Sequence, residues 1–215
     1  MAKAQSKRSA SELKAEVAAF KRQRIVEEAS HLFFLRGYEA TTLDAVAEQL
    51  NVTKPFIYSY CRNKSELLFE ICQIGIREAQ IVLDSACASA GSAQERLKLL
   101  VDKLVHVIIA NQEYLVVYQR EEKNLDPKDA RAIREMRKNF DHKLAKLLED
   151  GRKAGQFDFD DASRTAIWIS GLVSWIANWY HPGGHWSESE VAMDAMRIIM
   201  KIVAPAAKSK GLRAL

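Results

Sequence analysis

The chain has 215 residues, 48% of them hydrophobic and 28% charged, with a formal net charge of +4. That is an ordinary balance for a soluble globular protein of one or two domains with a full core. Cys61, Cys72 and Cys87 form no CxxC pair and argue for reduced thiols in a cytoplasmic protein. The longest apolar stretch, AIWISGLVSWIANWY, is too short and too broken for a membrane span of about 20 residues. The opening segment, MAKAQSKRSASELK, lacks the apolar run of a secretory signal. Only four Pro and nine Gly are present, and no window alternates as a strand would, so long helices with tight joints are expected.

The first 24 residues hold seven basic side chains (Lys3, Lys7, Arg8, Lys14, Lys21, Arg22 and Arg24) against Glu12 and Glu16. The positive charge of the chain is therefore an N-terminal feature. Residues 1–19 read as a basic, partly disordered arm, either simply solvated or meeting a polyanion such as DNA. Leu13, Val17 and Phe20 raise a membrane-surface reading, which their modest apolar face disfavours. A helix is expected from Phe20 to Arg36, with Ile25, Ala29, Leu32 and Phe33 at helical spacing and Gly37 as its stop. Tyr38 is expected to anchor in the core.

Three short patterns follow. Thr41 with Asp44 three residues on is a capping pattern, and Leu43, Val46, Ala47 and Leu50 give that helix one apolar face. Asn51-Val52 is a tight turn, because Asn tolerates left-handed backbone angles. Thr53 is a suitable N-cap, and Pro55 sits in the first turn of the next helix, where its missing N–H costs nothing. Ile57 points inward, while Lys54, Phe56, Tyr58 and Tyr60 remain largely outside. Asn63 caps a fourth helix with Glu66 at its third position. Two short helices joined by a brief turn describe a helix-turn-helix, whose second helix fits a DNA major groove. A plain helical bundle with solvated lysines has the same spacing.

The motif separates the two. Residues 20–68, containing GYEATTLDAVAEQLNVTKPFIYSYCRNKSELL, resemble the DNA-binding domain of TetR-family transcriptional regulators. The matching features are the Gly-aromatic pair after the first helix, the paired Thr, the Ala-rich second helix, the turn ending in Val, the aromatic-rich recognition helix, and the Lys-Ser-Glu-Leu-Leu start of the fourth. The resemblance implies that Thr53, Lys54, Pro55 and Phe56 face bases and that Thr42, Tyr58, Tyr60 and Lys64 hold the DNA backbone. Cys61-Arg62 departs from the usual Phe and small or polar residue. Cys61 would fill the same apolar site less completely, and Arg62 would add a phosphate contact. The expected fold is all-α: a helix-turn-helix domain over residues 20–66, a larger ligand-binding and dimerisation domain over 67–205, and a disordered tail at 206–215.

Long helices are expected at 63–90, 93–111, 114–124, from Asp126-Pro127 to Gly155, at 160–181 and at 188–204. The helix at 160–181 is apolar on most sides. Trp168, Leu172, Trp175 and Trp179 form one stripe, and Ile167, Gly171, Ser174 and Asn178 another of mostly small residues. The last helix keeps only Asp194, Arg197 and Lys201 as a polar strip. One chain of this size can hardly cover both, so the two helices are expected to meet their mates in a homodimeric four-helix bundle. Ile167, Gly171, Ser174, Met193, Met196 and Met200 are the expected interface. Two-fold symmetry predicts a roughly palindromic operator.

The resemblance also implies a small-molecule effector bound among the middle helices. Tyr118, Arg120, Phe140, Trp168, Trp175 and Trp179 are the candidates to line its site, although the aromatics serve equally as core. The segments YQREEKNLDP and WYHPGG resemble the C-terminal domains of TetR regulators that respond to acyl-CoA thioesters in the catabolism of fatty acids, steroid fragments or phenylacetate. Arg120, Arg131, Arg134, Arg137 and Lys138 are then candidate phosphate partners, or simply solvated helix faces. The alternative is a regulator of drug efflux sensing hydrophobic or aromatic compounds, which usually needs a buried carboxylate that the sequence does not single out. No cofactor is expected. No phosphate loop, nucleophile motif or zinc spacing supports an enzyme, and Glu121-Glu122 diverge too far on a helix to act as an acid/base pair. His181 and His185 lack an evident third metal ligand.

Overall fold

The structure is a computed structural model and describes residues 10–205. Among them are nine α-helices and one 3-10 turn. The helices are α1 (Ala10–Arg36), α2 (Leu43–Gln49), α3 (Lys54–Tyr58), α4 (Lys64–Ala88), α5 (Ala93–Ala110), α6 (Gln112–Glu121), α7 (Pro127–Lys153), α8 (Ala162–Trp179) and α9 (Glu188–Ile202), with the 3-10 turn Glu122–Asn124 after α6. None of these helices is long and apolar enough to cross a membrane.

Helix α1 is already formed at Ala10, the first described residue, so residues 10–19, expected as part of a partly disordered arm, are helical. Their side chains are exposed, and the first buried residue of α1 is Ile25. Leu13, Val17 and Phe20 lie at helical spacing along this stretch and are exposed. The expected disorder at residues 1–9 and 206–215 lies outside the described residues.

Two apolar cores share their helices. One gathers Ile25, Leu32 and Phe33 of α1, Val46 of α2, Ile57 of α3 and Leu67, Leu68 and Ile71 of α4. It is completed from farther along the chain by Val117 of α6 and Ile133 of α7. The other holds Leu83 of α4 with much of α5, α7, α8 and α9, and includes Val116 of α6. Adjacent residues of α6 therefore enter different cores. The packing does not divide after residue 66, and α4, α6 and α7 connect the small head to the larger body.

Candidate DNA interface and effector cavity

The head is built by local rules. Gly37 takes φ +83°, the left-handed stop of α1. The cap of α2 is Thr42, not Thr41: the Thr42 hydroxyl accepts from the Ala45 N–H at 3.1 Å. Thr41 is buried and donates to the carbonyls of Gly37 at 2.9 Å and Leu32 at 3.3 Å. It closes the turn instead of starting the helix. Asn51 adopts φ +53°, as the α2–α3 turn requires. Thr53 occupies the N-cap of α3 but makes no side-chain cap bond. Asn63 caps α4 by accepting from the Glu66 N–H at 2.8 Å.

On the outer side of α3, Thr53, Lys54, Pro55 and Tyr58 are exposed, while Phe56 and Tyr60 are half-buried with ring centroids 5.1 Å apart. Ile57 is fully buried beneath them. The Lys54 ammonium pairs with Asp44 of α2 at 2.8 Å, which holds its pKa above the usual lysine value. Lys64 is engaged as well: its Nζ donates to the Tyr38 carbonyl at 2.7 Å and stands 4.1 Å over the Tyr38 ring. Cys61 is buried, in keeping with its expected place in an apolar site.

Arg22, counted in the sequence as arm charge, is an internal clamp. Its guanidinium donates to Glu66 at 2.9 Å, to Glu70 at 2.7 Å and to the Tyr60 carbonyl. It fastens the middle of α1 to the end of the recognition segment and the start of α4. The Glu66 carboxyl, bound first by the Arg62 N–H and then by Arg22, sits below the usual glutamate range. Lys21, next to the clamp, lies 5.7 Å from the Phe56 ring, so the basic half of α1 flanks α3.

In the body, a cavity of about 350 Å³ lies among α4, α5, α6, α7 and α8. Its wall is largely apolar, with Cys72, Leu104, Ile108 and Phe140, and carries a polar group formed by Tyr118, Glu122, Arg137 and Asp141. Arg137 Nη1 donates to the Tyr118 hydroxyl at 2.9 Å, and Ser170 Oγ donates to Asp141 at 2.7 Å. Burial pushes the Tyr118 phenol up to about 12 against the pull of Arg137, so it enters this group neutral. Next to the cavity, a basic groove of about 380 Å³ between α7 and α8 is lined by Arg134, Lys138 and His142. Arg137, Asp141 and Ile167 line both, so the groove and the cavity adjoin at these three residues.

The structure rearranges the expected ligand and interface residues. Tyr118 and Phe140 do line the cavity. Arg120 does not; its guanidinium lies 5.7 Å over Phe34 of α1. Trp168, Trp175 and Trp179 face outward, 72%, 62% and 39% exposed, along an open groove that also holds Trp186, Ile198 and Ile202. Ile167, Gly171 and Ser174, expected at the interface, line the cavity, with Gly171 reaching the outer groove as well. Met193 is exposed, whereas Met196 and Met200 are half-buried against the chain's own core. Arg131 is exposed and lines neither the groove nor the cavity.

The WYHPGGHW segment is the α8–α9 turn. Gly183 takes φ +76°, and Trp186 packs edge-on against Trp179 at 6.1 Å. Sequence reasoning named no carboxylate for the cavity. Glu122 and Asp141 supply two, and the only signal for them was the register of α6 and α7 relative to Tyr118 and Phe140. Among the described residues no group of three or more metal-ligating side chains comes together.

Comparison with known proteins supplies the context. Residues 25–71 match the family described as bacterial regulatory proteins, tetR family, and residues 90–203 match that described as tetracyclin repressor-like, C-terminal domain. The chain is 25% identical over 182 residues to the HTH-type transcriptional repressor KstR2 of Rhodococcus jostii strain RHA1, a match covering 84% of this chain and 89% of that protein. The crystal structure of the TetR-family regulator PfmR from Thermus thermophilus superimposes with a TM-score of 0.77 at 25% identity, covering 83% of this chain and 97% of PfmR. AibR, solved in complex with isovaleryl coenzyme A and operator DNA, shares the fold with a TM-score of 0.74 at 22% identity, covering 86% of this chain and 99% of AibR.

Proposed function

The chain belongs to the TetR family of bacterial regulatory proteins, and on that premise we propose that it is a cytoplasmic, homodimeric repressor released from a palindromic operator by an acyl-CoA thioester. It acts by binding rather than by catalysis. Thr53, Lys54, Pro55 and Phe56 read base edges, while Thr42, Tyr58, Tyr60 and Lys64 hold phosphates. Lys54 would exchange its pairing with Asp44 for the DNA, and an exposed pair of this kind is weak enough to exchange readily. The outward faces of α8 and α9, with Trp168, Trp175, Trp179 and Met193, form the dimer contact.

The observation that carries the effector class is the adjacency of the basic groove and the apolar cavity, which share Arg137, Asp141 and Ile167. An acyl-CoA has that polarity: an apolar acyl group at one end and phosphates at the other. The acyl group would occupy the space beside Phe140, Leu104 and Ile108, and the phosphates would meet Arg134, Lys138 and His142. Arg137, at the junction, would donate to the thioester carbonyl.

A second reading, an efflux regulator sensing hydrophobic cations, has the Glu122 and Asp141 carboxylates in its favour. Arg137 stands close to both, so its positive charge already offsets part of theirs and weakens the case for a cationic ligand.

Thermal unfolding separates the two. A thioester bound only to the folded protein at 100 times its Kd adds ~2.7 kcal/mol of stability. The expected result is a raised Tm with one class of thioester and none with its free acid or with CoA alone. A raised Tm with cationic dyes and none with thioesters would replace this reading by the second.

A further inference from the structure

Tyr38 is where the head is fastened to the body. Its N–H donates to Glu121 Oε1 at 3.3 Å, and its carbonyl accepts from Lys64 Nζ at 2.7 Å and from the Thr41 N–H at 3.2 Å. Its ring stands edge-on to Phe33 and carries the Lys64 ammonium on its face. One residue thus joins the α1–α2 turn, the start of α4 and the end of α6.

Glu121 is the last residue of α6, and Glu122 opens the 3-10 turn that follows. Neighbouring residues on a helix point about 100° apart, so the two carboxylates diverge. Glu122 lines the cavity alongside Tyr118 and Arg137. Glu121 reaches the other way, to the head, where Asn124 donates to its second oxygen at 2.8 Å. Two consecutive residues therefore contact the effector cavity and the DNA-binding head.

We infer that Glu121 is the positioning residue that reports occupancy of the cavity to the head, through its hydrogen bond to the Tyr38 N–H. The inference rests on the reading of this cavity as the effector site. Anything that engages Arg137 must compete with its bond to Tyr118 and disturb Glu122 beside it. A shift of Glu122 turns the 3-10 segment and carries Glu121 with it. At 3.3 Å the Glu121–Tyr38 bond is already at the long end of the N–H···O range, and a displacement of a few tenths of an ångström breaks it. Releasing it frees the turn that carries Thr42 and rests on Lys64, both assigned to DNA phosphates. The coupling needs no change in the core of the head.

Hydrogen exchange of the full-length protein tests this without effector or DNA. Tyr118→Phe removes the hydroxyl that Arg137 holds, the same bond an effector would disrupt. It is expected to speed amide exchange in residues 37–42 by about tenfold, a typical size for coupling between sites. In a Glu121→Ala background that segment already exchanges fast, and Tyr118→Phe adds nothing. Glu121→Gln, whose amide oxygen still accepts from the Tyr38 N–H, restores the response. Arg137→Met is a second cavity-side change with the same expected pattern, and unaltered exchange in α8 shows that a variant is folded.

Equal acceleration by Tyr118→Phe with and without Glu121, or none in the wild-type background, would overturn the inference. Thermal unfolding with isovaleryl-CoA, octanoyl-CoA and phenylacetyl-CoA then reports on the effector reading separately. Glu121→Ala is expected to retain whatever stabilisation a thioester gives the wild type. Absence of stabilisation in both would remove the thioester reading and leave the exchange pattern to decide the role of Glu121.

Discussion

Trp175→Arg is expected to yield a folded monomer. Trp175 is 62% exposed in the single chain, so its loss leaves both cores intact. It stands at the centre of an apolar face with Trp168, Trp179, Trp186, Met193, Ile198 and Ile202, all exposed and together far more apolar than a monomer's surface tolerates. Buried tryptophans at the centre of an interface are its usual hot spots, each costing about 2–4 kcal/mol when lost. An arginine there also places two unpaired charges, one per protomer, at the symmetric contact. The dimer dissociation constant should therefore rise by about 30- to 1,000-fold. Sedimentation equilibrium should find a monomer at micromolar concentration, with helical circular dichroism retained. Binding to a palindromic operator should collapse, because the two heads no longer reach their half-sites together. A dimer of unchanged affinity would show that the tryptophan face is covered by something else.

DNA binding should fall steeply with salt. If the two heads together neutralise six to ten phosphates, affinity drops by about 10³ to 10⁵ between 50 and 200 mM salt. Lys64, Arg62 and the basic flank of α1 around Lys21 are the contacts that would account for it. Lys64→Ala should lower the slope for all sequences alike, whereas Lys54→Ala should blur operator choice, because Lys54 is assigned to base edges at the start of α3. Fluorescence anisotropy across a salt series measures both. A flat response, or an unchanged selected sequence with Lys54→Ala, would contradict the contacts assigned to α3.

The head was legible in the sequence because its signals are local. Gly37, Asn51, Pro55 and Asn63 each demand a particular backbone, and together they fix the turns. The misassignment of Thr41 for Thr42 as the cap of α2 arose because both can bond to a backbone group. Only burial, which turns Thr41 inward onto Leu32 and Gly37, distinguishes them. The body was less legible. Periodicity shows that α8 is apolar on several sides but not which neighbour each side meets. The tryptophans were therefore assigned to the effector site, and the small residues Gly171 and Ser174 to the interface. In the single chain Gly171 and Ser174 line the cavity, Gly171 the outer groove as well, and Trp168 and Trp175 are exposed. Arg22 was missed as a clamp because its partners, Glu66 and Glu70, lie far along the chain.

The most direct test of the central claim measures DNA release. An operator recovered by in vitro selection, labelled and bound by the protein, is titrated with isovaleryl-CoA, octanoyl-CoA and phenylacetyl-CoA, with each free acid and with CoA alone. The predicted result is that one thioester class displaces the DNA at concentrations that also raise the Tm, while its acid and CoA do not. A thioester that stabilises the protein yet leaves the DNA bound would contradict the claim that this cavity controls the head.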